Sequence, residues 1–358
     1  PAITNMRITS VIVRCLLAII GLFAMSGCST FMSGSEDETS SKPTQTEPAI
    51  SNPDNTDAYQ RAEQSPGFFR MRLGKYLVTA LYDGSIDIHS MLMKGRPQST
   101  ITRLLMQAKQ PREVKTAVNA YLLDDGERIV LVDTGASEAL GASMGKLRES
   151  LALSGYPPES VQMVLLTHLH PDHAGGLLHN GTRAFPNAQV YLSKAEGIQL
   201  LSSTRNNATL PVFQGIQKAL APYLDAGLIH VFDTGAEPVS GIESVALSGH
   251  SAGLTGYRIR SGGESLLIWG DIVQSAATQF ADPSISLEFD HDQQKARLTR
   301  LKAMREAAQS GEWIAGAHLP FPGLGRVQML TKTSFRWLPI DYTQAMSEAR
   351  QRRPMLGK

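Results

Sequence analysis

The chain has 358 residues, 42% hydrophobic and 19% charged, with a formal net charge of +1. That length and balance support a sizeable globular core, in one large domain or two smaller ones. The near-neutral charge excludes the strongly basic footprint of a nucleic-acid binder, so no nucleic-acid partner is expected. Of more interest are the 9 histidines, several of which cluster with acidic residues.

The first predicted element is a targeting signal. Met6 reads as the start, with Pro1–Asn5 upstream of it, and Arg7 and Arg14 supply positive charge. The apolar run Cys15–Met25 is 11 residues long. A membrane-spanning helix needs about 20 apolar residues, so the run suits a signal-peptide core. It ends in Met25-Ser26-Gly27-Cys28, which resembles a bacterial lipobox, making Cys28 the lipidated first residue of the mature chain. The expected destination is export across the inner membrane and anchorage by lipid, with Ser29 favouring the outer membrane facing the periplasm. Cys15 and Cys28 are the only cysteines. The mature domain therefore has no disulfide and no thiolate ligand, and any metal must be held by imidazole and carboxylate.

Residues 29–66 are rich in Ser, Thr, Glu, Asp, Asn and Pro. They bury too little apolar surface to offset their ordering entropy, which predicts a disordered tether. A folded domain is expected over 67–350, beginning near Phe68. Val78–Ile88 reads as two short strands about Asp83-Gly84. Val118–Leu123 and Arg128–Val132 read as a hairpin, running into Asp133-Thr134-Gly135. Ser137–Leu153 reads as a helix stopped by Gly155. Val161–Thr167 is a buried strand. Further strands are predicted at Gln189–Leu192, His230–Phe232, Ile242–Leu247, Tyr257–Ile259, Ser265–Trp269 and Trp313–Ala317, with an amphipathic helix over Lys295–Ala308. Short strands in two groups, with helices between and after them, predict an α/β chain of two stacked sheets flanked by helices.

The strand Val161–Thr167 leads into Thr167-His168-Leu169-His170-Pro171-Asp172-His173-Ala174-Gly175-Gly176-Leu177. Alternate residues after a strand point the same way, so His168 and His170 can reach one metal. Pro171 turns the chain, and Asp172 and His173 then start a helix aimed at an adjacent position. Neutral imidazole suits zinc, iron or manganese, and carboxylate compensates charge. Gly175 and Gly176 allow close backbone packing. Four ligands cannot complete two metals, so later loops must supply the rest. Three candidates stand just past strands, where rigid scaffolds carry sites: His250 in Ser248-Gly249-His250-Ser251-Ala252-Gly253, Asp271 after Trp269-Gly270, and His318 in Gly316-Ala317-His318-Leu319-Pro320.

The His-x-His-x-Asp-His motif, the downstream Gly-His-Ser, the Gly-Asp and the final histidine together resemble the metallo-β-lactamase superfamily, over residues 70–345. The resemblance implies a four-layer αββα sandwich and a hydrolase that uses two divalent metal ions, zinc before manganese or iron. His168, His170 and His250 would hold the first metal, Asp172, His173 and His318 the second, and Asp271 would bridge them. Asp133 would support the ligands without being one. A hydroxide shared by the metals would attack an ester, lactone or phosphotriester, with Asp172 and Asp271 as the catalytic carboxylates. The segments GDIVQSAATQF, SISLEFD and AHLPFPGLGRV resemble the branch of methyl parathion hydrolase and lactonase-like enzymes. Gln274 stands where that branch has histidine, a departure that touches none of the proposed ligands.

The partner expected is a small-molecule substrate, besides the membrane reached through the anchor, and a homodimer is left open. A β-lactamase is disfavoured because that group lacks the bridging aspartate. Thioester hydrolases of the glyoxalase type share the ligands but add a basic C-terminal pattern not found here. Di-iron oxidoreductases of the fold carry Glu where His170 stands, and an inert binding module would have lost ligands. His89, His179, His230 and His291 lack partner spacing and read as surface or core residues. Core packing is likewise the reading for Phe280, Phe321 and Pro322.

Overall fold

The computed structural model describes residues 67–136, 140–141, 143–198 and 211–343. The expected leader, the expected lipidation at Cys28 and the expected tether fall on residues outside those described. From Phe68 onward the strands are β1 Phe68–Leu73, β2 Tyr76–His89, β3 Met93–Lys94, β4 Glu113–Asp124, β5 Ile129–Val132, β6 Met163–Leu165, β7 Leu178–His179, β8 Thr182–Arg183, β9 Gln189–Ser193, β10 Ile229–Phe232, β11 Ile242–Ala246, β12 Thr255–Ser261, β13 Glu264–Ile268, β14 Ser286–Leu287, β15 Trp313–Ala315, β16 Leu324–Thr331 and β17 Ser334–Pro339. The helices are α1 Gln98–Gln107, α2 Leu147–Leu153, α3 Pro171–Ala174, α4 Pro211–Asp225, α5 Ala276–Gln279 and α6 Gln293–Ser310. One sheet has the order β1-β2-β4-β5-β6-β9-β10 and the other β11-β12-β13-β15-β16-β17.

Three apolar clusters define four layers. Val78, Tyr121, Val132 and Leu165 of the first sheet pack against Ile242, Tyr257, Ile268 and Ala315 of the second. The outer face of the first sheet is covered by Leu147 and Leu151 of α2 and by Ile216, Leu220 and Tyr223 of α4. The outer face of the second is covered by Ala303, Met304 and Ala307 of α6. Each large aliphatic side chain so buried contributes about 1.5–3 kcal/mol, which is why both sheets are sandwiched. This is the αββα arrangement of the metallo-β-lactamase fold.

Strand direction decides where a site can form. β5, β6, β9 and β10 are mutually parallel. β11 and β13 both run antiparallel to β12, and β15 runs parallel to β13, so β11, β13 and β15 share one direction. The carboxyl ends of such strands are where open α/β sheets place their ligand crevices. Asp133, His168, His250, Asp271 and His318 each follow one of these ends.

Several local expectations are corrected. Val78–Ile88 is not two strands but part of the single 14-residue β2. Its register on β4 shifts between Tyr82 and Gly84, leaving Asp83 as a bulge residue that is fully buried. The helix expected over Ser137–Leu153 is only α2, and 137–139 and 142 lie outside the described residues. Gly145 has φ +80°, which a right-handed helix cannot contain, and its N–H is taken by the Asp83 carboxylate instead of a helical carbonyl. β1, α1, α4, β16 and β17 were not anticipated. β16 and β17 form an outer hairpin whose second halves are largely exposed, so their apolar alternation is weak.

Candidate metal centre

β6 ends at Leu165, and the backbone then carries His168 and His170 across the end of the sheet into α3. His170 caps that helix from extended backbone (φ −82°, ψ 155°), Pro171 occupies its first turn, and Asp172 and His173 follow on it. Pro suits this position because the first-turn N–H has no helical acceptor. His250 stands in the loop after β11, Asp271 in a tight turn of residues Gly270–Ile272 after β13, and His318 in the turn after β15.

These residues form two groups: His168, His170, His250 and Asp271, and then Asp172, His173 and His318, the potential ligand atoms within each group lying within 4.8 Å of one another. His250 Nε2 is 2.9 Å from His170 Nδ1. Asp271 Oδ2 lies 3.2 Å from His250 Nε2, 3.9 Å from His168 Nε2 and 3.1 Å from His318 Nε2. Its other oxygen, Oδ1, is 3.1 Å from His173 Nε2. Asp172 Oδ2 is 3.3 Å from His318 Nε2 and 3.5 Å from His173 Nε2. Asp271 thus stands between the two groups, with Oδ2 facing His250 and His318, one from each group, and Oδ1 facing His173.

The donor set fits divalent cations. A tetrahedral zinc with bonds of about 2.0–2.1 Å spaces its ligand atoms by roughly 3.3 Å, and the separations here scatter around that value. The buried Nε2 atoms of His168 and His173 and Oδ1 of Asp271 have no hydrogen-bond partner. Leaving such atoms unsatisfied costs about 1–3 kcal/mol each, a cost that a cation bound among them removes.

Four of the imidazoles are oriented from behind. Asp133 Oδ2 accepts from His173 Nδ1 at 2.8 Å, and Asp290 Oδ1 accepts from His250 Nδ1 at 2.8 Å. The Ala117 carbonyl accepts from His318 Nδ1 at 2.8 Å. Thr167 Oγ1 donates to Asp133 Oδ2 at 2.8 Å, and so accepts from His168 Nδ1 at 3.0 Å. Fixing a proton on Nδ1 turns each Nε2 inward, where its lone pair serves a metal once the ring is neutral, as metal-binding histidines require. Asp133 also accepts Thr167 N–H at 2.8 Å, tying the ends of β5 and β6 together.

Electrostatics divide the groups. Burial, reinforced by neighbouring imidazoles, holds His168 well below the ordinary histidine range and His170 down to about 3. Burial would also lower His173 and His318, but carboxylates prevail: Asp271, Asp172 and Asp133 hold His173 well above the usual range, and Asp271 and Asp172 bring His318 to about 10. Burial alone would raise Asp172 and Asp271, yet the surrounding imidazoles keep both well below the carboxylate range.

Three supporting residues escaped the sequence reading. Asp290 orients His250 and lies 3.9 Å from the buried Arg300 guanidinium, which donates to the carbonyls of Ile272, Pro283 and Ile285. Glu196 accepts Leu169 N–H at 3.1 Å, Gly253 N–H at 2.8 Å and the Ser251 hydroxyl at 2.5 Å, joining the His170 and His250 loops. Asp83 braces the Asp133 turn from below. No local motif marks Glu196 or Asp83, while Asp290 closes the stretch SISLEFD just before His291. Gln274 corrects an expectation: its amide donates to Asp271 Oδ2 at 3.1 Å, so that departure does touch a proposed ligand.

The remaining histidines stay outside. His89 accepts Met91 N–H at a surface turn, His179 contacts Asn180, and His230 stacks on Tyr191. His291 is exposed, though its backbone N–H donates to the His250 carbonyl at 2.9 Å. Phe280 is core, packed between Trp269 and Trp337. Phe321 packs edge-on against Tyr82 and joins the core between the sheets, with Pro322 following in a cis peptide.

With this geometry the comparisons with known proteins agree. The chain belongs to the metallo-beta-lactamase superfamily, whose profile matches residues 114–311. It is similar to hydrolase AbOPH of the beta lactamase superfamily, at TM-score 0.75 and 34% identity over 78% of this chain and 99% of that one. It is also similar to AidC, a dizinc quorum-quenching lactonase in complex with the product N-hexanoyl-L-homoserine, at TM-score 0.69 and 27% identity over 77% and 98% of the two chains. An N-acyl homoserine lactonase of Bacillus cereus is 27% identical over 201 residues, which are 51% of this chain and 74% of the lactonase. The chain is a metal-dependent hydrolase of this superfamily with lactonase-like neighbours, and its His/Asp cluster is able to hold divalent metal.

Proposed function

We propose that the chain is a dinuclear hydrolase of lactones or related esters, with phosphotriesters as the second substrate class. The observation that carries this is the placement of Asp271 between two complete ligand groups, with His168, His170 and His250 on one side and Asp172, His173 and His318 on the other. Two divalent ions held there, zinc before manganese or iron, supply hydroxide near neutral pH and polarise the oxygen of the electrophilic centre.

The chain's own residues do the rest. Asp271 reaches both groups, Oδ2 touching His250 and His318 and Oδ1 touching His173, with Gln274 holding Oδ2. Asp172 is the least buried carboxylate of the cluster, its side chain 14% exposed, and it stays ionised. Asp172 lies within 3.5 Å of His173 and His318, would hold the second ion with them, and is placed to orient the nucleophile. Phe289 lies edge-on to His250, ring centroids 6.1 Å apart, and offers an apolar wall at the partly buried rim. Such a wall suits an acyl chain better than a highly charged substrate. Asp271 also argues against the β-lactamase reading.

The test is a panel of N-acyl homoserine lactones, simple aryl esters, phosphotriesters, β-lactams and thioesters on zinc-loaded protein. Lactone or ester turnover above the other classes is the expected result. Preferred β-lactam or thioester turnover overturns the assignment.

We further propose that Cys28 is acylated and that residues 29–66 tether the domain to a membrane, on the strength of the Met25-Ser26-Gly27-Cys28 junction after a short apolar core. Mass spectrometry of the membrane fraction should find a chain beginning at a lipid-modified Cys28. An unmodified mature chain in the soluble fraction would refute it.

A further inference from the structure

Asp83 lies outside the metal centre and has a connected set of contacts that the proposed chemistry leaves unexplained. The bulge in β2 turns its side chain into the protein, where it is fully buried. Its Oδ2 accepts the N–H of Ala136 at 2.8 Å and of Gly145 at 3.3 Å, and Oδ1 accepts that of Leu147 at 2.9 Å. Its carbonyl accepts Lys146 N–H at 2.9 Å. Burial pushes the carboxyl up to about 6 against these donors, so at neutral pH it is chiefly the ionised acceptor.

On its other side the Thr134–Ala136 turn is stitched to the helix of the second ligand group. Thr134 N–H and hydroxyl both donate to the His173 carbonyl, at 2.7 and 2.9 Å, and Gly176 N–H donates to the Gly135 carbonyl at 3.0 Å. The packing leaves no slack. A Cβ on Gly135, which has φ +69°, would stand 2.4 Å from the Asp83 carboxyl carbon, and a Cβ on Gly176 would stand 2.0 Å from the Thr134 carbonyl oxygen. At Gly176 the obstacle is fixed backbone, and at Gly135 the buried Asp83 side chain is joined by a positive φ that other residues adopt only under strain, so both positions require glycine.

We infer that Asp83 is a positioning residue: through the Thr134–Ala136 turn clamped between them, it fixes the helix that carries Asp172 and His173. Asp133, the partner of His173 Nδ1, immediately precedes the same turn, so both the backbone and the imidazole of His173 depend on it. A neutral side chain at position 83 offers fewer acceptors to the three N–H groups, and the turn loses its lower support.

The test compares Asp83→Asn with Leu151→Ala, a core substitution in α2 that destabilises the same layer without touching this set. Asparagine keeps the size but turns one acceptor oxygen into a donor. In metal-free protein, amide exchange should speed up about tenfold in both 133–136 and 167–176 of Asp83→Asn, with β13 and β15 unchanged. In the zinc arm, which rests on the metal reading above, the weaker of two zinc ions should bind about tenfold less tightly, within the span typical of lost supporting contacts. Leu151→Ala should lower the Tm while leaving zinc binding as in the parent. If Asp83→Asn does not fold, Asp83→Ser, which keeps one accepting oxygen, is read the same way. Exchange that rises only over 136–147, or zinc binding in the variant equal to the parent's, overturns the inference. A parent chain that takes up no zinc, alongside the expected exchange result, refutes the metal reading and leaves the positioning role standing.

Discussion

Asp271→Asn should cost the chain its weaker metal and at least about 100-fold in turnover, because loss of merely supporting contacts around a metal site already costs 10–100-fold. The reason is charge. Asp271 is ionised and surrounded by His173, His318, His250 and His168. Two cations held close together repel, and a neutral amide offsets that repulsion far less than a carboxylate does. His291→Asn is the matched comparison. That side chain is exposed, and the contact of residue 291 with the centre is made by its backbone N–H, which the substitution keeps. Metal content by elemental analysis and turnover of an accepted ester, measured together, separate the two. An Asp271→Asn protein with two metals per chain and near-parental activity would show that the carboxylate does not bridge.

Chelation should abolish turnover, and the protection that zinc gives should grow with pH. In the metal-free chain His173 and His318 are held protonated by Asp271 and Asp172, with His318 titrating near 10. Their folded values are raised, so their contribution to stability is fully present below the unfolded value of about 6.5. It declines above that as the pH rises toward the folded value. A cation at Asp172, His173 and His318 must displace those protons, so its affinity rises with pH over the same interval. His168 and His170 are already neutral there, which makes the first group much less sensitive. Titrating metal-free protein with zinc at pH 6, 7 and 8, and following Tm, should show a gain that increases with pH and a steep slope for the weaker ion only. A pH-independent gain would mean that the second group does not bind through these histidines.

The residues of the centre were legible because each carries its chemistry within a few positions of a strand end. His168 to His173 lie within one short segment, and His250, Asp271 and His318 each follow an apolar run and a glycine or small-residue turn. The two-sheet architecture was legible for a related reason, since short apolar strands in two groups must each bury a face. What local sequence could not decide was which loops meet. That depends on β11, β13 and β15 running in one direction and on the packing of their sheet against that of β5 and β6, which brings His250 beside His170 and His318 beside Asp172. The residues that hold the centre in shape belong to the same class. Asp83, Glu196 and Asp290 are single acidic residues whose neighbours in sequence carry no metal-site pattern. Their roles arise because burial forbids a lone carboxylate, and the N–H and imidazole groups that satisfy them come from distant loops. The reading of Asp83 as a turn between two strands failed on that ground: a bulge and a turn share the same Asp-Gly pair, and only the three N–H groups waiting across the fold settle which one forms.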